Sequence, residues 1–406
     1  VFIGEPAPPS ELVDRDEEVK ELVSYCTNPK INYNVAVIGH RRVGKSSILK
    51  KVESELLKKG LAVVYFDVKK NLSDPEVFLR RLESEIFSAY IRSLRGGKKV
   101  RAEAGKIGAE LIQALSGLLA KRIKGVGVEV KTTVEGQMSV IPKLEFGEKR
   151  PDYQRMFDAV FNTAKVFAED SNKRFVIILD EFQDIAKLSR YRGLSNILDL
   201  YRSVVQERGK NVSYVICGSR VHMLRTFLEK GKSPLFMHFK EFLVGEMKEE
   251  YALLLFKKYA SGKGIDTGVI SKGSKEAFNI VDGHPFYLMS LAEDWDGERN
   301  LHDVYSESLS SSTGRLRLYV EYVLAEDIGE AQGGPLLRTI LRLLASRGAM
   351  SIGEIANALE KPATYMVPYI NELLKFDLLI KQDKMYKIRD RVVQDFLKTE
   401  SEELGI

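Results

Sequence analysis

The residues best suited to chemistry are Gly39-His40-Arg41-Arg42-Val43-Gly44-Lys45-Ser46, which fit the pattern G-x-x-x-x-G-K-[ST]. Gly39 and Gly44 permit backbone conformations that other residues resist, so amide N–H groups can ring a phosphate. A helix starting near Gly44, with Ser46 and Ser47 in its first turn, adds its positive dipole end. Lys45 can reach β- and γ-phosphates, and the Ser46 hydroxyl can ligate Mg²⁺. A second group follows the apolar run Phe175 to Leu179, which ends in Asp180-Glu181. Asp180 suits a magnesium held through water, and Glu181 suits the base that orients and deprotonates an attacking water. A third run, Val212 to Cys217, ends in Gly218-Ser219-Arg220. With these two strands flanking the strand of the glycine loop, their ends converge on the γ-phosphate, where Arg220 can sense it. No Asn/Thr-Lys-x-Asp element for guanine occurs, which points to adenine and hence to ATP, hydrolysed with Mg²⁺.

Such residues need a parallel sheet to position them. Asn34 to Gly39 and Leu61 to Val68 read as buried strands, as do the runs before Asp180 and Gly218. Phe236 to Val244 supplies a fifth. Between them lie amphipathic segments at 11–27, with Asp14 as cap, at 46–59, at 74–94 and through Leu194 to Val205. Alternating apolar strands and amphipathic helices predict an α/β fold with both sheet faces covered. The stretch 95–150 interrupts the rhythm with a helix-like part near 102–123, then alternating Val126, Val128, Val130 and Val134 and a second extended piece to Phe146. It reads as a basic helix and a β-hairpin.

The chain has 406 residues, enough for two or three domains, and 44% are hydrophobic and 29% charged. No apolar run is long enough to span a membrane, and no secretory pattern opens the sequence, so a cytoplasmic location is expected. Cys26 and Cys217 cannot make a disulfide framework, and Cys217 is expected to be a buried thiol. Net charge is +5, but residues 92–150 hold 13 Lys/Arg against 6 Asp/Glu. The basic excess therefore belongs to the insert.

Five features in order resemble the archaeal ATPases of the AAA+-related STAND group, whose members carry a C-terminal winged helix. They are Leu12-Val13-Asp14-Arg15, the glycine loop, Ile177-Ile178-Leu179-Asp180-Glu181-Phe182-Gln183, Cys217-Gly218-Ser219-Arg220 and Gly283-His284-Pro285. The resemblance implies a P-loop core with sheet order 5-1-4-3-2. It implies that Val13, Asp14 and Arg15 pack near the adenine, that Pro285 opens a lid helix touching the base, and that Arg220 senses the γ-phosphate. It also implies a homo-oligomer joined through the nucleotide face, with Arg202, Arg208 and Arg225 as unranked arginines to act in trans. The chain departs from the pattern at Pro234 to Lys240, where many relatives have an arginine soon after Pro-Leu.

The C-terminal stretch has helical spacing from Leu336 to Arg347, a capping box at Ser351 and Glu354, and a helix opening at Pro362. Leu378 to Lys381 and Met385 to Arg389 then make a two-stranded wing, so the module reads as a winged helix-turn-helix. Three units are expected: 1–245 as nucleotide-binding core, 246–333 as helical lid and linker, and 334–406 as winged helix. Thr364, Tyr365 and Asn371, with Lys375, Lys384 and Lys387 nearby, would face double-stranded DNA. Residues 335–406 carry only 11 Lys/Arg against 10 Asp/Glu, so a protein partner is the other reading.

Overall fold

The computed structural model describes residues 5–28, 30–94, 126–132, 138–144, 152–229, 233–329 and 333–403. The sheet is built from β1 (Val35–Ile38), β2 (Ala62–Asp67), β5 (Phe175–Asp180), β6 (Val212–Gly218) and β7 (Lys240–Leu243), in the order β2-β5-β6-β1-β7. All pairs are parallel. Numbered among themselves the five run 2-3-4-1-5, which from the other edge reads 5-1-4-3-2. Only β6 borders β1 on the catalytic side. The strand of Asp180 lies one place further, so the expected direct flanking by both strands is corrected.

Side chains alternate across the sheet as a period of two requires. Val35, Val37, Val63, Val176, Ile178 and Val215 face α1 (Asp16–Thr27) and α2 (Lys45–Lys58). Ala36, Ile38, Val64, Phe66, Ile177, Leu179 and Ile216 face the other side. There lie α4 (Pro75–Leu94), α5 (Tyr153–Ser171), α6 (Ile197–Glu207) and α7 (Val221–Leu228), while the short α3 (Val68–Asn71) follows β2. Cys217 is buried, as expected.

Three local expectations change. Helix α1 starts at Asp16, not near residue 11, and Asp14 does not cap it: Asp14 and Arg15 have φ of 62° and 74°, and Arg15 is the N-cap. Asp16, Glu17 and Glu18 in the first turn answer the helix dipole instead. Strand β7 begins only at Lys240, because the chain before it turns, with Met237 at φ 61° and His238 N–H donating to the Leu235 carbonyl. The insert hairpin forms as β3 (Val126–Thr132) and β4 (Met138–Leu144), antiparallel, with β4 beside α4. The basic helix expected near 102–123 lies outside the described residues.

The helical half follows: α8 (Glu249–Ala260), α9 (Thr267–Val281), α10 (Pro285–Asp294), α11 (Leu301–Ser310) and α12 (Arg315–Gly329). Then come α13 (Gly334–Arg347), β8 (Met350–Ser351), α14 (Ile352–Ala358), α15 (Ala363–Lys375), β9 (Leu379–Gln382), β10 (Met385–Ile388) and α16 (Arg391–Glu403). The last three strands form an antiparallel sheet in the order β8-β10-β9. Ser351 and Glu354 make the expected capping box. One apolar core runs unbroken from Met247 to Leu397. Among the described residues no helix is long and apolar enough to cross a membrane.

Candidate functional site

Parallel strands deliver their C-terminal ends to one edge, and there the helical half closes over a cavity of about 580 Å³. Val13, Arg15, Arg41, Arg42, Val43, Gly44, Lys45, Ser46, Ser47, Asp180, Glu181, Arg220 and Pro285 all line it. Asp14, Gly39 and His40 do not line it.

Gly44 is the N-cap of α2 with φ 100°, a conformation glycine adopts without strain. Gly39 serves a different need from the one expected. A Cβ there would sit 2.3 Å from the Val244 carbonyl oxygen, so the residue permits close approach to the end of β7. Lys45 is buried, and its Nζ donates to the His40 carbonyl at 2.6 Å, inside its own loop. The Ala7 N–H donates to Ser47 Oγ at 2.9 Å, which lays the N-terminal segment along the cavity mouth. The Arg15 guanidinium bonds the carbonyls of Gly245 (2.7 Å) and Val43 (3.3 Å). It therefore ties the loop to the segment that follows β7.

Ser46 Oγ donates to Asp180 Oδ2 at 2.8 Å, and the Tyr65 hydroxyl donates to the same oxygen. Burial, with the Asp180 carboxylate beside it, raises the tyrosine pKa and keeps that hydroxyl a donor. Ser46 and Asp180 supply the hard oxygens that a small divalent cation takes. Among the described residues no cluster of three or more His, Cys, Asp or Glu could hold a metal alone. Glu181 sits in the left-handed region at φ 50°. Its Oε2 accepts from Ser219 Oγ at 2.9 Å and from the Gln183 side-chain amide. Gly218 leaves the room for Gln183, since a Cβ there would meet Gln183 Oε1 at 2.3 Å.

The opposite end of the cavity is apolar: Leu12, Val13, Met247, Leu255, Tyr259 and Met289, with Pro285 at the first turn of α10. Gly283 allows this crossing, because a Cβ there would sit 1.9 Å from the Met247 carbonyl oxygen. His284 Nε2 lies 3.0 Å from the Arg41 carbonyl. Burial lowers its pKa, so the ring is neutral and donates through Nε2.

Charged side chains of the loop reach the helical half directly. Arg41 bonds Glu326 (2.8 Å) and Asp327 (2.7 Å) on α12, and Lys69 bonds Glu326. Burial alone would raise the Glu326 carboxyl, but the bonds from Lys69 and Arg41 hold it down at about 2. Arg220 is buried, with Nη2 3.5 Å from Asp327 and its guanidinium 5.1 Å over the Phe376 ring. Arg389, just past β10, donates to His40 Nε2 at 2.7 Å. Burial, then Arg389, lowers His40 to about 4. The Arg42 guanidinium lies 4.6 Å over Phe286 and 5.2 Å from Tyr319. Arg208 bonds the carbonyls of Asn32, Val205 and Val212, which removes it from the arginines free to act in trans.

Sequence reading did not find Tyr65, Gln183, Ser219, Glu326, Asp327, Lys69 or Arg389. One signal was present. Leu316, Tyr319, Val320, Val323, Leu324 and Asp327 form one buried stripe of α12, and an acid on such a stripe requires a buried cation.

A family model described as an ATPase domain predominantly from Archaea matches residues 12–291. A Walker-type ATPase of Pyrococcus abyssi superposes with a TM-score of 0.66 at 19% identity, covering 98% of this chain and 100% of its own. The ORC2 protein of Aeropyrum pernix, solved as ADPNP-ADP complexes, gives 0.51 at 15% identity, covering 100% of this chain and 98% of that one. These two likenesses are of fold. No curated protein matches the chain significantly by sequence. By the match over residues 12–291, this chain belongs to the family of ATPase domains found predominantly in Archaea, and it binds and hydrolyses ATP.

Proposed function

We propose that the protein is an AAA+-related, STAND-type switch that couples ATP hydrolysis to a C-terminal winged helix acting on DNA. One observation carries the reading: Arg41 and Arg220, which line the cavity, bond α12, and His40 of the glycine loop accepts from Arg389 of the C-terminal module. A change at the phosphates is thus felt by both. In this reading residues 1–245 are the core, 246–333 the lid and linker, and 334–406 the winged helix.

Lys45 and the α2 N-terminus take the β- and γ-phosphates. Ser46 and Asp180 would hold Mg²⁺, which when bound supplies charge to the phosphate oxygens. Ser219 and Gln183 aim the Glu181 carboxylate, which takes the proton of the attacking water. Glu181→Gln should lower turnover about 10²–10⁴-fold with ATP affinity retained; unchanged single-turnover hydrolysis would mean another base.

Support for DNA comes from α15 and the wing, where Thr364, Asn371, Lys375, Lys381 and Lys384 are exposed, with Lys361 exposed just before the helix. The test is binding of a labelled duplex across a salt series, with ATPase rate read alongside. Affinity falling steeply with salt, and turnover rising with DNA, supports the reading. A protein partner is the second reading, favoured by Tyr365 and Val367, which stand 47% and 42% exposed on the same helix. Flat salt dependence and no stimulation would favour it. The reading includes a homo-oligomer, checked by particle mass with ADP and with ATP; Arg202 is exposed on α6 as one arginine that could act across it.

A further inference from the structure

We propose that Asp327, with Glu326 beside it, sets this site's preference between ADP and ATP. It does so by holding Arg220, which a third phosphate needs in that reading, together with Arg41 of the glycine loop. The inference rests on the reading of Arg220 as the γ-phosphate sensor.

The Asp327 side chain is 2% exposed, and its Oδ1 faces Arg41 Nη2 at 2.7 Å and Arg220 Nη2 at 3.5 Å. A carboxylate oxygen between two guanidinium groups is an anionic acceptor of the kind a phosphate oxygen also provides. Both arginines line the nucleotide cavity. Asp327 lies behind them, on a second cavity of about 160 Å³ that shares Arg41, Ser219 and Tyr319 with the first. Each arginine therefore stands between two anion positions, the internal carboxylate and the triphosphate. ATP can engage Arg220 only by drawing it from Asp327. ADP has no third phosphate and does not compete. The apparent ATP affinity is scaled down by the fraction of molecules in which the arginine is released, and the ADP affinity is not.

Glu326 adds to the same hold, since it faces the nucleotide cavity and bonds Arg41 and Lys69. Because α12 is part of the core that continues into the C-terminal module, the exchange of partners is passed on to that module.

The test is calorimetric titration with ADP and with ADPNP of the wild type, Asp327→Asn, Arg220→Ala and the double variant. Asp327→Asn should tighten ADPNP about tenfold and move ADP by less than about twofold. The gain should vanish in the double variant. Equal tightening of both nucleotides, or none, overturns the proposal. If Arg220→Ala leaves the ratio of ADPNP to ADP affinity unchanged, the sensor reading itself has failed. If it lowers that ratio while Asp327→Asn leaves it unmoved, only the present inference has. Should Asp327→Asn not fold, Glu326→Gln gives the same sign at about threefold, and no selective change there overturns the proposal.

Discussion

In the N-terminal half the sheet divides the apolar interior in two, with α1 and α2 sealing one face and α4 to α7 the other. In the C-terminal half, among the described residues, α8 to α16 share one core. Between the halves, beside Val13 packing on the C-terminal core, polar contacts predominate. Arg41 meets Glu326 and Asp327, Arg389 meets His40, and the His222 N–H donates to Asp377 at 2.8 Å. Apolar cores are close-packed and resist partial rearrangement, whereas single polar bonds can exchange partners. The difference puts close packing inside each half and exchangeable polar bonds at the seam between them. The cavity of the candidate site lies along that seam.

The largest test separates the seam from the interiors. Lys45 belongs to neither apolar cluster, so Lys45→Ala should weaken ATP binding roughly 10²–10³-fold and leave the melting temperature unmoved. Titration calorimetry and thermal unfolding check the two halves of that statement. Unchanged ATP affinity would remove the glycine loop as the phosphate site.

What could be read in the sequence follows the same division. The loop, the Asp180-Glu181 strand end and the Ser351 capping box are each set by residues a few positions apart, so pattern reveals them. Which strands are neighbours is not local: β5 has the apolar run of a central strand, but nothing in that run says β6 separates it from β1. Arg41 and Asp327 stand 286 residues apart, and no periodicity links them. Asp14 looked like a helix cap by type and spacing, yet the chain turns through left-handed φ there so that Arg15 can reach back to the loop carbonyls.

A cut into the C-terminal core tests whether it is one body. Phe396 is fully buried on α16, and the guanidinium of Arg317 on α12 lies 5.8 Å from its ring. Phe396→Ala should cost about 3–5 kcal/mol. Hydrogen exchange should then rise together in α10, α12 and the terminal module. Protection lost from residues 334–403 alone would make lid and module separate units and end the comparison.

Glu83 is an exception inside the N-terminal half. It is fully buried on α4, and neither oxygen has a hydrogen-bond partner among the described residues. Burial pushes its carboxyl up to about 8. The unfolded chain releases that proton from about 4.5, so the stability it contributes is full below that pH and is lost as pH rises towards 8. Glu83→Gln should flatten this decline and be more stable at pH 8 by on the order of 2 kcal/mol. The gain is smaller than full linkage because a buried amide also lacks partners. An unchanged slope of melting temperature against pH would mean the carboxyl finds a charge partner.

The smallest effect lies on the seam itself. Burial, then Arg389, Lys45, His284 and Arg225, depress His40 from its ordinary 6.5 to about 4. The docked ring stays neutral and accepts from Arg389, while a released ring takes a proton from about 6.5. Docking that depends on this bond is complete above pH 6.5 and weakens as pH falls towards 4, by on the order of 1 kcal/mol. The Glu326 carboxyl, held at about 2, stays ionised across that window, so the Arg41 bonds persist. Asp377, raised by burial, contributes the opposite slope, and His284 a slope of the same sign. Comparison with His40→Gln isolates the ring, since an amide oxygen can accept from Arg389 without titrating. Fluorophores at the exposed positions Lys58 and Lys398 would report the distance between the halves. If wild type and His40→Gln open along the same pH curve, the His40–Arg389 bond is a passive contact and the other seam contacts hold the halves together.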